Sequence, residues 1–171
     1  MKQSATKALL IAIALAVGSL GPASASDLGA SAQGAISGYR KQHGLPGVTV
    51  DAALMQLAHQ QAAAMARSNT LSHSVGGSFA SRLGGANRSI AAENIAMGTT
   101  DLSSTLAIWK RSSGHNANLL KHGVSRIGIA SASGGGRTYW ALILAGSVER
   151  RPPLTLVSRR RAAGPRTLPE W

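Results

Sequence analysis

The chain has 171 residues, with 18 Lys+Arg against 6 Asp+Glu, 5 His and no Cys, a formal net charge of +12. That length fits one domain of ordinary size and argues against a multidomain machine. The lack of cysteine excludes disulfides, thiolate zinc sites, iron–sulfur clusters and a Cys nucleophile.

The first segment reads as an address. Lys2 and Lys7 make a short positive region, Ala8 to Leu20 is apolar, Gly21-Pro22 breaks the run, and Ala23-Ser24-Ala25 has small residues spaced for cleavage. This is the pattern of a secretory signal peptide over 1–25. The apolar run falls short of the roughly 20 residues a membrane span needs, and no later run is long enough. The expectation is an exported chain, secreted or periplasmic, with no transmembrane span once processed.

Ser26 to Ser37 is small and polar, with helix potential. His43-Gly44-Leu45-Pro46-Gly47 stops a helix and turns the chain. Asp51 suits an N-cap, and Ala52 to Ser68 is an amphipathic helix with Leu54, Leu57, Ala58, Ala62, Met65 and Ala66 on one stripe. Asn69 closes it. Leu71 to Ser78 reads as a loop, Phe79 to Leu83 as a short helix and Gly84 to Arg88 as a second loop. Ile90 to Met97 is open between a strand and a buried turn. Asp101 caps another amphipathic helix, Leu102 to Arg111, with Leu102, Leu106 and Trp109 inward. Ser112-Ser113-Gly114 interrupts it, and His115 to Leu120 adds a helical turn or two.

Ser125 to Ser131 alternates as a half-buried strand does, with Ile127 and Ile129 on one face. Ser133 to Arg137 is a hairpin turn. Thr138 to Ser147 is almost wholly apolar, as a central strand covered on both faces is. Helices followed by a terminal antiparallel hairpin indicate an α+β fold, with helices packed on a small sheet. From Glu149 onward there are six arginines, two glutamates and four prolines. That composition predicts a basic, mostly disordered tail over 149–171, leaving 26–148 as the folded domain.

The sequence contains no HExxH, GxSxG, Walker A or GxGxxG motif. All carboxylate chemistry must come from Asp27, Asp51, Glu93, Asp101, Glu149 and Glu170. Glu93 lies in an apolar run, Ala91-Ala92-Glu93-Asn94-Ile95-Ala96, and a carboxylate buried there needs partners. His73 sits in the loop before it and His115 follows the Trp109 helix. Two imidazoles and one carboxylate suit a divalent metal with an open position. The same three residues equally suit a hydrogen-bonded cluster that ties loops to the sheet. Asn94 fits a role satisfying backbone groups, and Asn118 one fixing the loop after His115. Ser112 and Ser113 read as helix-end residues, Trp109 as core. His43, His59 and His122 receive no role.

The blocks Leu71-Ser72-His73-Ser74, Ala92-Glu93-Asn94-Ile95-Ala96 and Trp109-Lys-Arg-Ser-Ser-Gly114-His115-Asn-Ala-Asn118-Leu119-Leu120 occur in that order, before Arg126-Ile-Gly128-Ile-Ala and Tyr139-Trp140-Ala-Leu. This resembles the CAP superfamily (cysteine-rich secretory, antigen 5, pathogenesis-related 1) in its bacterial SCP-like form. The resemblance covers about Ile36 to Gly146. It implies an α-β-α sandwich around a small antiparallel sheet, with a shallow cleft lined by two histidines and two acids. His73, Glu93 and His115 match the first histidine, the first acid and the second histidine.

The second acid, three residues after the tryptophan in many eukaryotic members, is Ser112 here. A serine does not replace a carboxylate as base or metal anion, so the resemblance favours a binding or structural module over an enzyme. Its cleft, formed by His73, Glu93 and His115 with Asn94 and Ser112, is expected to hold a divalent metal (zinc or magnesium) or a small apolar, lipid-like ligand. The alternative is a metal-assisted hydrolase of peptides or cell-wall material, with Glu93 as base or ligand. Expected partners are a cell-envelope component and, through the arginine tail, anionic envelope polymers. Nucleic acid is disfavoured, because the tail lacks interleaved aromatics for stacking.

Overall fold

The computed structural model describes residues 25–84, 88 and 90–147. The signal-peptide pattern up to its last residue and the basic tail over 149–171 lie outside the described residues. Among the described residues, no helix is long and apolar enough to cross a membrane.

The first helix, α1 (Ala25–Gln42), buries Gly29, Ala32, Ile36 and Arg40. Those positions recur every three or four residues and so share one face. The helix ends where Gly44 adopts φ +71 and Pro46 follows. A two-residue strand, β1 (Thr49–Val50), comes next and was not singled out from the sequence. Helix α2 (Ala52–Ser68) starts on Asp51, whose side chain accepts from the Leu54 N–H at 3.1 Å, and stops at Asn69 in the left-handed conformation, φ 48. Helix α3 (Phe79–Leu83) is short, and the ambiguous run over 90–97 is a strand, β2 (Ala91–Met97).

Asp101 caps α4 (Leu102–Arg111), and α5 (Ser113–Leu119) begins one residue later. The expected three-residue break is therefore a single residue. Ser112 takes an extended conformation, φ −87 and ψ 120, which alone turns the chain, so Ser113 and Gly114 are free to be helical. Strands β3 (Arg126–Gly134) and β4 (Arg137–Ala145) form the terminal hairpin, turning on Gly135 and Gly136 at φ +56 and +72. Both turn residues need positive φ, the backbone that two-residue hairpins favour.

The four strands lie in the order β1-β3-β4-β2. β4 is central, antiparallel to both β3 and β2, while β1 adds a short parallel pairing to β3 at Arg126 and Ile127. Alternation along β4 builds two cores. Trp140, Leu142 and Leu144 pack with Ile36 of α1, Leu106 and Trp109 of α4 and Leu119 of α5. Tyr139, Ala141, Ile143 and Ala145 pack with Leu54, Ala58, Ala62 and Met65 of α2. The result is an α-β-α sandwich. Each fully buried Leu or Ile in it contributes about 1.5–3 kcal/mol.

Two contacts set the layer spacing. A Cβ on Gly128 of β3 would lie 2.0 Å from the Leu54 carbonyl carbon, so α2 rests directly on the strand backbone there. On the other side, Arg40 is fully buried and donates to four main-chain carbonyls, those of Pro46 (2.9 Å), Leu119 (2.7 Å), Lys121 (3.1 Å) and Val124 (3.0 Å). Its guanidinium fastens α1 to the connection between α5 and β3.

Candidate functional site

The site follows from β2 being an edge strand. Successive residues of a strand face opposite sides of a sheet. Ile95 belongs to the α2 core, and Ala92 and Ala96 belong to the α1/α4 core. Glu93 accordingly faces α2 and α3, and Asn94 faces α4 and α5.

Glu93 is 6% exposed and its carboxylate is fully engaged. Arg82 of α3 grips it through both terminal nitrogens, Nη1 to Oε2 at 2.8 Å and Nη2 to Oε1 at 3.0 Å. His73 Nδ1 lies 2.8 Å from Oε1. A carboxylate only accepts, so Nδ1 carries the proton, and the ring's one other nitrogen is Nε2. Arg82 also donates from Nη2 to the His73 carbonyl at 2.9 Å and from Nε to the Gly77 carbonyl at 3.2 Å. One guanidinium thus fixes both the acid and the loop that carries the histidine. From α2, the buried Gln61 donates to the Ser72 carbonyl at 2.7 Å and steadies the same loop.

His115 approaches around the other side of β2. Asn94, fully buried, donates from Nδ2 to the His115 carbonyl at 3.0 Å. Asn118 donates to Asn94 Oδ1 at 2.9 Å and to the Glu93 carbonyl at 3.3 Å. The pair stitches α5 to β2; Asn118 lies within α5 and bonds to β2, whereas the sequence reading expects it to fix a loop after His115. Among the described residues, the buried His115 Nδ1 atom has no hydrogen-bond partner. Burial first, and then repulsion from His73, lower the His115 pKa below its ordinary value.

Ser112 lies between α4 and α5, makes no side-chain capping bond and brings no charge to the cleft. Trp109 is core, fully buried, with its indole N–H donated to the Ile95 carbonyl at 3.2 Å. The expected metal set meets an obstacle in this geometry, since both Glu93 oxygens are spent on Arg82 and His73. Among the described residues, no group of three or more His, Cys, Asp or Glu side chains is arranged to hold a metal ion. Arg82 is the residue that sequence reading missed. Its only signal was the rule that a buried carboxylate needs a partner, which names no position.

Apolar space lies elsewhere. β1 covers only Arg126 and Ile127 of β3, and beyond them the edge of β3 meets α1 and the end of α2. A cavity of about 370 Å³ there is lined by Leu28, Met55, Ile129 and Ser131 among others. A second, of about 500 Å³, is lined by Leu28, Leu102, Ser131 and Trp140 together with Asp27 and Asp101. They share Leu28 and Ser131, and neither is lined by His73, Glu93 or His115.

Residues 33–144 match the family model of the Cysteine-rich secretory protein family, CAP. The chain belongs to the CAP family. Solved structures place the fold in the same company. An outer surface protein of Borrelia burgdorferi aligns at TM-score 0.63 and 18% identity, covering 69% of this chain and 91% of that one. An extracellular protein containing an SCP domain from Bacillus anthracis aligns at TM-score 0.60 and 24% identity, covering 76% of this chain and 45% of that one. A cysteine-rich secretory protein from Staphylococcus aureus aligns at TM-score 0.55 and 18% identity, covering 71% and 39%. The chain thus spans less than half the length of the last two. No curated protein matches it. As a CAP domain without cysteine, this one is held by its two cores, by Arg40 and by the Arg82–Glu93 pair.

Proposed function

We propose that this CAP domain is an exported binding module that takes a small apolar, lipid-like ligand in the trough at the N-terminal end of α1. The observation that carries the reading is the wall shared by the two cavities. Leu28 and Ser131 line both, and Met55, Ile129, Leu102 and Trp140 extend the apolar surface to either side. Volumes of about 370 and 500 Å³ lie in the range of small-ligand sites. Export is supported by the signal-peptide pattern over 1–25 and by relatives described as outer surface and extracellular. The arginine-rich segment 149–171 adds an electrostatic contact with anionic polymers of the envelope. The hydrolase alternative needs Glu93 as a free base or ligand, and the hold of Arg82 on its carboxylate weighs against that.

Titration with cis-parinaric acid, followed by its fluorescence, tests the reading. Saturable binding is expected. Leu28→Trp, which fills the shared wall, should weaken it at least about tenfold, equivalent to ~1.4 kcal/mol. His73→Ala should leave it unchanged. Absence of saturable binding, or binding indifferent to Leu28→Trp, overturns the proposal.

A further inference from the structure

We infer that Arg82 is the resident cation of the His73–Glu93–His115 cleft, standing where a divalent metal would otherwise neutralise Glu93, and that it makes the native cleft a poor metal site. A metal site needs ligands with lone pairs to spare and a net negative or neutral donor set. Here the single carboxylate has given Oε2 to Arg82 Nη1 and Oε1 to Arg82 Nη2 and His73 Nδ1, at 2.8, 3.0 and 2.8 Å. The side chains of Arg82 and Glu93 are 6% and 2% exposed, so this pair is screened little by solvent. A divalent ion brought to Glu93 meets a fixed positive charge already bonded to the same oxygens.

What remains is two imidazoles, His73 Nε2 and the ring of His115, one short of the three protein ligands of an open zinc site. Arg82 is also tied down on its other side. Its bonds to the carbonyls of His73 and Gly77 and its position 5.6 Å over the Phe79 ring hold it against the acid. Arg82 therefore determines the specificity of the cleft. It charge-balances a buried carboxylate without metal and holds the His73 loop against β2.

The inference predicts a gain of function on removing the cation. Zinc is titrated calorimetrically onto the full chain as wild type, His73→Ala/His115→Ala, Arg82→Gln, Arg82→Lys and Arg82→Gln/Glu93→Gln. Wild type and the double-histidine variant should give the same heats, since His43, His59 and His122 bind any zinc taken up elsewhere. Arg82→Gln, with Glu93 released, should gain zinc affinity on the order of tenfold or more, the scale on which one polar partner changes a metal site. Adding Glu93→Gln should abolish that gain. Arg82→Lys keeps a charge without the two-pronged grip and should fall between the two.

Zinc uptake by wild type that depends on His73 and matches that of Arg82→Gln overturns the inference. So does a folded Arg82→Gln with no gain. Where Arg82→Gln is unfolded, its refolding by zinc, read by circular dichroism, supports the inference. If zinc does not refold it, the wild-type comparison decides, and His73-dependent heats there overturn the proposal while their absence supports it.

Discussion

Glu93 and Asn94 are neighbours in the chain and face opposite sides of the sheet, so one edge strand ties the helices on both its flanks. Glu93 binds Arg82 and His73 on the α2/α3 side. Asn94 binds His115 and Asn118 on the α5 side. The cleft exists because β2 has no further strand beyond it. Asn94→Ala removes the side-chain donor to the His115 carbonyl and one of the two acceptors of the Asn118 amide, and should cost about 1–3 kcal/mol by urea denaturation. In a double-mutant cycle with Asn118→Ala, the two effects should fall short of additivity by at least about 0.5 kcal/mol.

Arg40 carries an equal structural duty at the other end of the molecule. Arg40→Met removes the donor from four main-chain carbonyls, two of them in buried bonds, and should destabilise the domain by at least about 3 kcal/mol, since hydrogen bonds to a charged group are worth ~1.5–3 kcal/mol each. Arg40→Lys should recover little of this, because a single ammonium lacks the planar fork that reaches several acceptors. Chemical denaturation of the three proteins checks the order wild type, Lys, Met.

Two glycine substitutions should act in opposite directions. Gly128→Ala drives a methyl to within 2.0 Å of the α2 backbone, and should cost about 3 kcal/mol, the upper end of ordinary overpacking, or more. Gly114→Ala, inside α5 with nothing within 4 Å, should stabilise by about 0.5–1 kcal/mol. Thermal melts should therefore move down for the first and up for the second.

His115 makes stability depend on pH. Its folded pKa is lowered, by burial and then by His73, below the ordinary 6.5. The unfolded chain binds this proton more readily, so the contribution is complete above pH 6.5 and is lost as pH falls from there through the folded value. His115→Asn should flatten the slope of stability against pH just below 6.5 while leaving the slope near pH 8 unchanged. A variant whose slope matches wild type below 6.5 contradicts this assignment.

Much of this was open to reading from the sequence, for local reasons. α2 and α4 are legible because a capping aspartate stands directly before an apolar stripe, at Asp51 and at Asp101. β4 is legible because a run with no polar face must be covered on both sides. The Glu93 environment is legible as a buried acid needing partners. The identity of the partner is not, since Arg82 comes from a five-residue helix whose own sequence carries no signal for the contact. β1 is hidden for the same reason, being two residues long and defined only by pairing with a strand 77 positions later. The apolar trough takes its walls from α1, α2, α4, β3 and β4, and no local pattern marks it. The charge excess pointed to anionic surfaces, whereas the cleft rests on one acid and one internal base.

The central position of β4 governs the order in which the molecule can assemble. Both cores draw large side chains from this strand, and it is the last element of the described chain. Until Arg137–Ala145 is available, β2 and β3 have no strand to join them, and α1 and α2 share only β3 as a surface to pack on. The pairing of Ala91 with Ala145 joins residues far apart in the chain, so folding waits for a contact of high sequence separation. A chain built this way completes both cores only when its last described strand is in place. Its folding is expected to be slow and cooperative, with no stable half.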